Sequence, residues 1–181
     1  MILKIIKILV RYIMSNISKQ ELKTTTIHIP SKDIYRTKDI DGLIKFNLKK
    51  QFENVCGKYG YVLEDSITVV KRSIGKIVTH NGISNIEYNI TYKMDSILPC
   101  KGDIYEAIVD SITKMGIISY LKLESQKLNS VKESPVLIIV PQIYLDKDLD
   151  NYSKGQKIKV EVLDKRVKYR AKQIQVVGKI L

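Results

Sequence analysis

A tight-turn signal between two strand-like segments most constrains the fold of this chain. The dipeptide Asn81-Gly82 favours the positive φ angles of a two-residue β-hairpin turn. Segments 74–78 and 86–94 flank it. The second segment alternates strictly, with polar residues between Ile86, Tyr88, Ile90, Tyr92 and Met94. Because successive side chains of a strand point to opposite faces, the alternation predicts an antiparallel hairpin with one buried face.

A helix is predicted upstream of this hairpin. Apolar residues recur there at the i, i+3, i+4 spacing of one helical face, namely Ile40, Leu43, Ile44, Leu48, Phe52 and Val55. Thr37 or Asp39 is available as the N-cap, and Gly57 as the C-terminal stop. The β-branched run 24–29 is typical of a strand, which ends at Pro30 because proline cannot donate to a ladder. The first module is therefore predicted to be a small antiparallel sheet covered by one helix.

A compact aromatic turn lies between the helix and the hairpin. It comprises Gly57, Lys58, Tyr59, Gly60 and Tyr61, and we call it the glycine–tyrosine turn. The segment that follows, 62–71, is predicted to be extended because it is rich in β-branched residues.

From Gly102 the pattern changes to short strands with polar connections. Five strands are predicted, at 104–114, 117–123, 136–140, 156–163 and 173–180. Gly116 lies where the first arm must bend sharply into the second, a usual place for glycine at a barrel corner. With long connections at 124–134 and 146–155, this pattern predicts a five-stranded barrel of the OB type. The fold class is therefore α+β.

The charge balance indicates a polyanionic partner. The net charge is +12 and the pI is about 9.5, and a summed positive potential attracts nucleic acid or anionic membranes. Within 151–181 the only acidic residues are Glu161 and Asp164. The basic residues there, interleaved with Tyr169, are Lys154, Lys157, Lys159, Lys165, Arg166, Lys168, Arg170, Lys172 and Lys179. This favours RNA contact through the phosphodiester backbone, and the alternative is a solvated edge kept basic against strand aggregation.

The titratable residues predict a noncatalytic protein. His28 and His80 are isolated, and neither a P-loop nor a dinucleotide fingerprint is present. Cys56 and Cys100 lack the spacing of a zinc site or a disulfide framework, which favours a reducing intracellular compartment. We therefore expect no catalytic residues and no cofactor.

Two further segments carry partial signatures of binding. Asp146, Asp148 and Asp150 imitate the start of a calcium loop, but the required glycine and bidentate glutamate are replaced by Asn151 and Lys157, so no metal is expected. The first thirteen residues are apolar but are interrupted by Lys4, Lys7 and Arg11, and no run approaches the roughly 20 residues of a membrane span. We expect no transmembrane helix and no membrane partner. A basic amphipathic surface helix and an alternative start at Met14 both stay open.

Several short segments carry a family resemblance. They are Ile27-His28-Ile29-Pro30, the helix up to Phe52, Gly57-Lys58-Tyr59-Gly60-Tyr61-Val62, Lys101-Gly102-Asp103, Lys114-Met115-Gly116-Ile117 and Gly178. From Thr24 to Leu181 the chain resembles the stalk subunit of multisubunit DNA-directed RNA polymerases, the seventh-subunit family of eukaryotes and the archaeal E-subunit family.

The resemblance implies a fold and a set of sites. The first module would be a truncated ribonucleoprotein-like sheet with one helix, and the second a five-stranded OB-fold β-barrel that reaches toward emerging RNA. Residues Gly57, Lys58, Tyr59, Gly60 and Tyr61 would dock on the polymerase core. The RNA surface would combine Lys114, Tyr120 and Lys122 on the barrel with the basic residues Lys165, Arg166, Lys168 and Arg170.

One departure from the family pattern concerns base stacking. OB barrels of this RNA-binding type commonly carry an aromatic residue just after the glycine that corresponds to Gly116, where stacking contributes roughly 1–3 kcal/mol per base. Ile117 and Ile118 occupy those places, so Tyr120 or Tyr105 would have to supply the ring. RNA binding is therefore expected to be weak, electrostatic and sequence-tolerant.

The sequence thus predicts a noncatalytic polymerase stalk subunit that docks on the core subunits and contacts single-stranded nascent RNA. A fourth-subunit-like stalk partner stays open. The alternative is a free-standing OB-fold RNA-binding protein of translation or RNA processing. The predicted ranges are an N-terminal extension at 1–19, a docking domain at 20–98 and an RNA-binding barrel at 99–181. The expected location is the nucleus or, for a large DNA virus whose AT-rich genome would explain the lysine and isoleucine bias, the virion and the cytoplasmic replication site.

Overall fold

The computed structural model describes residues 17–80, 82–123, 131–145 and 149–181. In chain order its elements are β1 (Lys19–Pro30), α1 (Ser31–Arg36), α2 (Ile40–Phe52), β2 (Cys56–Gly57), β3 (Gly60–Val62), β4 (Thr68–Arg72), β5 (Lys76–His80), β6 (Ile83–Ile97), β7 (Ile104–Thr113), β8 (Gly116–Leu121), β9 (Val136–Pro141), β10 (Lys157–Arg166) and β11 (Ile174–Ile180). Short 3-10 turns cover Gln142–Tyr144 and Leu149–Asn151. Nearly all of the predicted extension 1–19 lies outside the described residues.

The chain divides into two compact units. One contains Gln20–Glu53 and Val62–Ser96, and we call it the sheet unit. The other, the barrel unit, contains Asn54–Tyr61 and Ile97–Leu181. The glycine–tyrosine turn therefore belongs with the barrel, whereas the predicted ranges grouped it with the first domain.

The predicted hairpin is confirmed in the sheet unit. β5 pairs antiparallel with β6 from Lys76↔Glu87 to His80↔Ile83, so two strands that are consecutive in the chain are neighbours in the sheet. β4 pairs with the next part of β6, and β1 is also its neighbour. The alternation of β6 is confirmed too, because Tyr88, Ile90, Tyr92 and Met94 are buried.

Helix α2 covers the buried face of this sheet. Ile44 and Leu48 join the same core cluster as the β6 side chains, and the Phe52 ring stacks on Tyr92 with centroids 5.7 Å apart. The Asp39 carboxylate caps the helix by accepting the Gly42 N–H at 2.8 Å.

The predicted C-terminal stop of the helix is wrong. The helix ends at Phe52 and its C-cap is Glu53, while Asn54 takes a left-handed φ of 59°. Gly57 instead belongs to β2, and Val55 lies beyond the helix. The chain therefore leaves the helix one turn earlier than the apolar spacing indicated, because an asparagine tolerates the left-handed conformation.

The second module is the predicted five-stranded barrel. Its closed order is β10-β11-β9-β8-β7, with β9 and β11 parallel and every other pair antiparallel. A three-strand meander whose last strand pairs parallel with the fifth strand is the topology of the OB fold. Barrel and antiparallel sheet together confirm the α+β class.

The barrel closes sharply at its first turn. Gly116 has a φ of 137°, and a Cβ there would collide with the Val140 carbonyl oxygen. Only glycine fits such a close approach at this backbone angle. The predicted corner role of Gly116 is confirmed.

No helix in the described ranges is long and apolar enough to cross a membrane. The apolar segment at residues 1–13, for which the sequence predicts the same result, lies outside those ranges.

Candidate nucleic-acid interface

Strand register separates the predicted RNA-binding residues into two ends of the barrel. β7 and β8 pair from Thr113↔Gly116 to Ala107↔Leu121, so Lys114 lies in the turn at one end of β8 and Lys122 follows its other end. The six residues of β8 span about 20 Å at the usual strand rise. Lys114, Tyr120 and Lys122 therefore do not form one compact face.

The remaining predicted cations lie at the same end as Lys122. β10 pairs with β7 up to Glu161↔Ile104, so its last residues and the connection to β11 extend beyond the start of β7. We call residues 165–172 the basic loop. The basic end of the barrel is this loop together with Lys122, and the opposite end is the β7–β8 turn with residues 142–145.

The glycine–tyrosine turn is bonded to the basic loop. The Cys56 N–H donates to the Ala171 carbonyl at 2.7 Å, and the Arg170 N–H donates to the Cys56 carbonyl at 2.8 Å. β2 and β3 pair at Cys56↔Tyr61 and Gly57↔Gly60, which leaves Lys58 and Tyr59 as the two turn residues. The predicted docking residues and the predicted RNA-binding loop are therefore neighbours in one unit.

A glycine is required at position 60. Its φ is 105°, and a Cβ would collide with the carbonyl oxygen of Ile97. Because the turn approaches the backbone this closely, glycine is the residue that fits. The sequence identified Gly60 as part of a turn but contained no sign of this contact.

The two tyrosines of the turn have different environments. Tyr61 is 5% exposed, and its hydroxyl donates to Oδ1 of Asn54 at 3.2 Å. Tyr59 is 37% exposed, and the Lys58 ammonium lies 5.7 Å from its ring centroid. Of the two predicted aromatic anchors, Tyr59 is accessible to a partner, whereas Tyr61 is a core residue.

The exposed cations of the basic loop have no carboxylate partner among the described residues. Arg166, Lys168 and Arg170 are exposed, and no carboxylate in the described ranges lies within 4.0 Å of them. Lys165 is half-buried, with its Nζ 3.9 Å from the Cys100 Sγ. A positive local potential follows, because no described carboxylate pairs with these charges.

Two lysines elsewhere on the barrel are paired with carboxylates. Lys157 contacts Glu106 at 3.0 Å, and Lys179 contacts Glu161 at 3.0 Å. Pairing reduces the potential that these lysines present to an anion. In the sequence, these lysines are indistinguishable from those of the basic loop.

Two tyrosines that were candidates for base stacking are buried in the structure. Tyr120 is 7% exposed and Tyr105 is 4% exposed. The Tyr105 hydroxyl donates to Oδ2 of Asp103 at 3.1 Å, and burial raises its pKa above the usual range. Neither ring presents a face to a base in this conformation, so the expectation that one of them replaces the missing aromatic is corrected. Tyr169, at 79% exposure, presents its ring.

The side chains that could bind a metal ion do not form a cluster in the described ranges. No group of three or more His, Cys, Asp and Glu side chains in the described ranges could hold a metal ion. Asp146 and Asp148 lie outside those ranges, as does the side chain of His80. Burial raises the pKa of the Cys56 thiol to about 11, so the thiol is protonated and a poor nucleophile at neutral pH.

Comparison with known proteins gives little beyond this geometry. No protein-family model matches the chain. One solved structure with some similarity is that of an uncharacterized protein from Methanocaldococcus jannaschii, at 20% sequence identity and a TM-score of 0.34. The match covers 47% of this chain and 96% of the archaeal one. A likeness at this level carries no argument about function.

Proposed function

We propose that the protein is a noncatalytic stalk subunit of a DNA-dependent RNA polymerase, which docks on the core enzyme and contacts nascent RNA. The sequence resemblance suggested this role. The proposal needs a surface that a protein partner can reach and a separate source of affinity for RNA.

The observation that carries the proposal is the position of the glycine–tyrosine turn. The turn is held on the barrel unit by two backbone hydrogen bonds and presents Lys58 and Tyr59 to solvent. A rigid, accessible aromatic residue is the kind of side chain that anchors protein interfaces. Because Tyr61 is buried, docking through this turn depends on Lys58 and Tyr59.

RNA contact is supported by the basic end. The basic loop carries five cations and no acidic residue, and those that are exposed have no described carboxylate beside them. Binding by such a surface is dominated by counterion release and is tolerant of sequence. The loop is therefore suited to a transcript of any sequence.

The alternative of a free-standing RNA-binding protein rests on the same cations. It differs from the stalk proposal in its partner, because it does not require association with a polymerase. Copurification separates the two functions.

The test is affinity purification of the tagged full-length chain from its native host, followed by mass spectrometry. We expect the large polymerase subunits with the wild-type chain and their loss with Lys58→Ala/Tyr59→Ala. Tyr35→Ala is the matched control, because Tyr35 is an exposed tyrosine of α1 in the sheet unit. Purification of the wild-type chain without any polymerase subunit would refute the stalk function, and retention of the polymerase by the double variant would refute docking through the turn.

A further inference from the structure

We propose that the glycine–tyrosine turn and the basic loop form one binding surface for single-stranded RNA in the free subunit, with Tyr59 and Tyr169 as its two stacking rings. This inference deepens the proposed function, since it rests on RNA contact at the basic end. It adds Lys58 and Tyr59, residues that the resemblance assigns to protein docking alone.

The geometry of the backbone joins the two elements. Both hydrogen bonds of Cys56 go to the basic loop, one to Ala171 and one to Arg170. The turn residues Lys58 and Tyr59 lie two and three residues beyond Cys56, which places Lys58 about 7 Å along the strand. A polynucleotide bound along the basic loop is therefore within reach of the turn.

The conformation of the loop is fixed where the two elements meet. Arg170 takes a left-handed φ of 61°, and its N–H is held by the Cys56 carbonyl. A left-handed non-glycine residue costs of order 1 kcal/mol and persists when the surroundings hold it in place. The β2 strand thus fixes the backbone from which Tyr169 and Arg170 project.

Each element combines a ring with a cation. Tyr169 is flanked in sequence by Lys168 and Arg170, and Tyr59 has the Lys58 ammonium near its ring. Exposed rings beside cations are the combination used by proteins that bind single strands, in which bases stack and phosphates are neutralised. An acidic protein partner would need the cations but not two exposed rings, so the pattern favours RNA.

RNA binding at this surface competes with docking on the polymerase. RNA that covers Lys58 and Tyr59 occupies the residues proposed to anchor the polymerase. RNA contact through the turn therefore belongs to the free subunit, and the docked subunit retains only the loop.

The experiment measures binding of the purified full-length chain to a fluorescein-labelled 12-nucleotide uridine RNA by fluorescence anisotropy at low salt. We expect Tyr169→Ala to weaken binding about tenfold, and Lys58→Ala/Tyr59→Ala to weaken it by a similar factor, as stacking losses of this kind do. Lys114→Ala/Met115→Ala is the matched control, because it removes a lysine and an exposed apolar side chain from the turn at the opposite end. It should bind like the wild type.

Crosslinking gives a second readout that needs no substitution. With 4-thiouridine in the same RNA, mass spectrometry should find crosslinks in the peptides of both 56–61 and 168–172. Crosslinks confined to the loop, with unchanged affinity of Lys58→Ala/Tyr59→Ala, would overturn the composite surface while the loop still binds RNA. A wild-type chain that binds no RNA but copurifies with a polymerase would overturn the inference and leave docking in place.

Discussion

The two ends of the barrel differ in how they present positive charge. The basic end carries Arg166, Lys168 and Arg170 without described carboxylates beside them, and an exposed tyrosine projects among them. The opposite end presents Lys114 beside apolar side chains, because Met115 and Ile143 are both exposed there. The same fold therefore offers one surface suited to a polyanion and another that lacks its density of charge.

This difference shows that the position of a lysine in the fold, more than the number of lysines, determines the local electrostatic potential. Lys114 and Lys122 are alike in sequence terms, since each lies at an end of β8, yet only Lys122 lies at the basic end. Potential from several cations adds over a surface when they lie within about 10 Å, the Debye length at 0.1 M salt. A lysine at the far end of a strand about 20 Å long contributes little to that sum.

The largest expected effect is on stability, and it comes from truncating the buried tyrosine of the glycine–tyrosine turn rather than the exposed one. Tyr61→Ala should reduce the free energy of unfolding by about 3–5 kcal/mol, the usual cost of truncating a buried aromatic residue. Tyr59→Ala should reduce it by less, about 1–2 kcal/mol, because Tyr59 is 37% exposed and loses less buried surface than Tyr61 does. Thermal and urea denaturation of both variants measure this.

Equal destabilisation by the two tyrosine substitutions would contradict the assignment. It would mean that Tyr59 also supports the fold, and that the turn offers no independent anchor to a partner.

The second prediction compares the removal of four positive charges from the basic loop with the removal of four from elsewhere on the barrel. Alanine at Lys165, Arg166, Lys168 and Arg170 should weaken binding to unrelated single-stranded RNAs about 600-fold at 0.1 M salt, since each phosphate contact accounts for about 0.7 in the log-log salt slope and so for about fivefold in affinity. Titrations at several salt concentrations should also show a flatter slope. The matched variant with alanine at Lys154, Lys157, Lys159 and Lys179 has the same net charge but spares the basic end.

If both quadruple variants lose affinity to the same extent, net charge rather than the basic end attracts the RNA. Association with the polymerase is measured separately for the variant with four alanines in the basic loop. The glycine–tyrosine turn is bonded to the loop backbone, so side-chain truncation should leave docking through the turn intact.

The local elements could be predicted from sequence, and the arrangement of the site could not. The hairpin of β5 and β6 has its own turn dipeptide in the sequence, the N-cap of α2 lies next to the helix, and each barrel strand has its own run of β-branched residues. The bonds from Cys56 to the basic loop join segments far apart in the chain and have no local signal. Register, not composition, separates Lys114 from Lys122.

Burial of the tyrosines was the other part that sequence could not supply. Tyr59 and Tyr61 are two residues apart, a spacing that places side chains on the same face of a regular strand, so alternation does not predict that Tyr59 is exposed and Tyr61 is buried. Tyr120 lies in a strand whose residues are buried on successive positions, so alternation gives no guide to its exposure.

The third prediction uses the buried thiol that lies where the turn meets the loop. Because burial raises the Cys56 pKa to about 11, the protonated thiol is favoured in the folded state. This contribution is complete below the unfolded-state pKa, near 8.5, and is lost as the pH rises toward the folded-state value. Over that interval the free energy of unfolding should fall by roughly 3 kcal/mol more in the wild type than in Cys56→Ala.

Urea denaturation between pH 8 and pH 11 provides the measurement, and the difference between the two chains removes the contribution of lysine and tyrosine titration. Parallel pH profiles would show that water reaches the thiol and that the junction between turn and loop opens readily.

The smallest expected effect tests the comparison between the two ends with single residues. Lys122→Ala should reduce affinity for single-stranded RNA about fivefold at 0.1 M salt, the contribution of one phosphate contact. Lys114→Ala should leave it unchanged, because Lys114 lies at the opposite end of β8 from the basic loop. Both lysines are exposed and lie outside the strands, so neither substitution should disturb the fold. If Lys114→Ala is the weaker binder, the RNA lies across β8 and β9 rather than on the basic end, and the division of the barrel into a binding end and a neutral end is wrong.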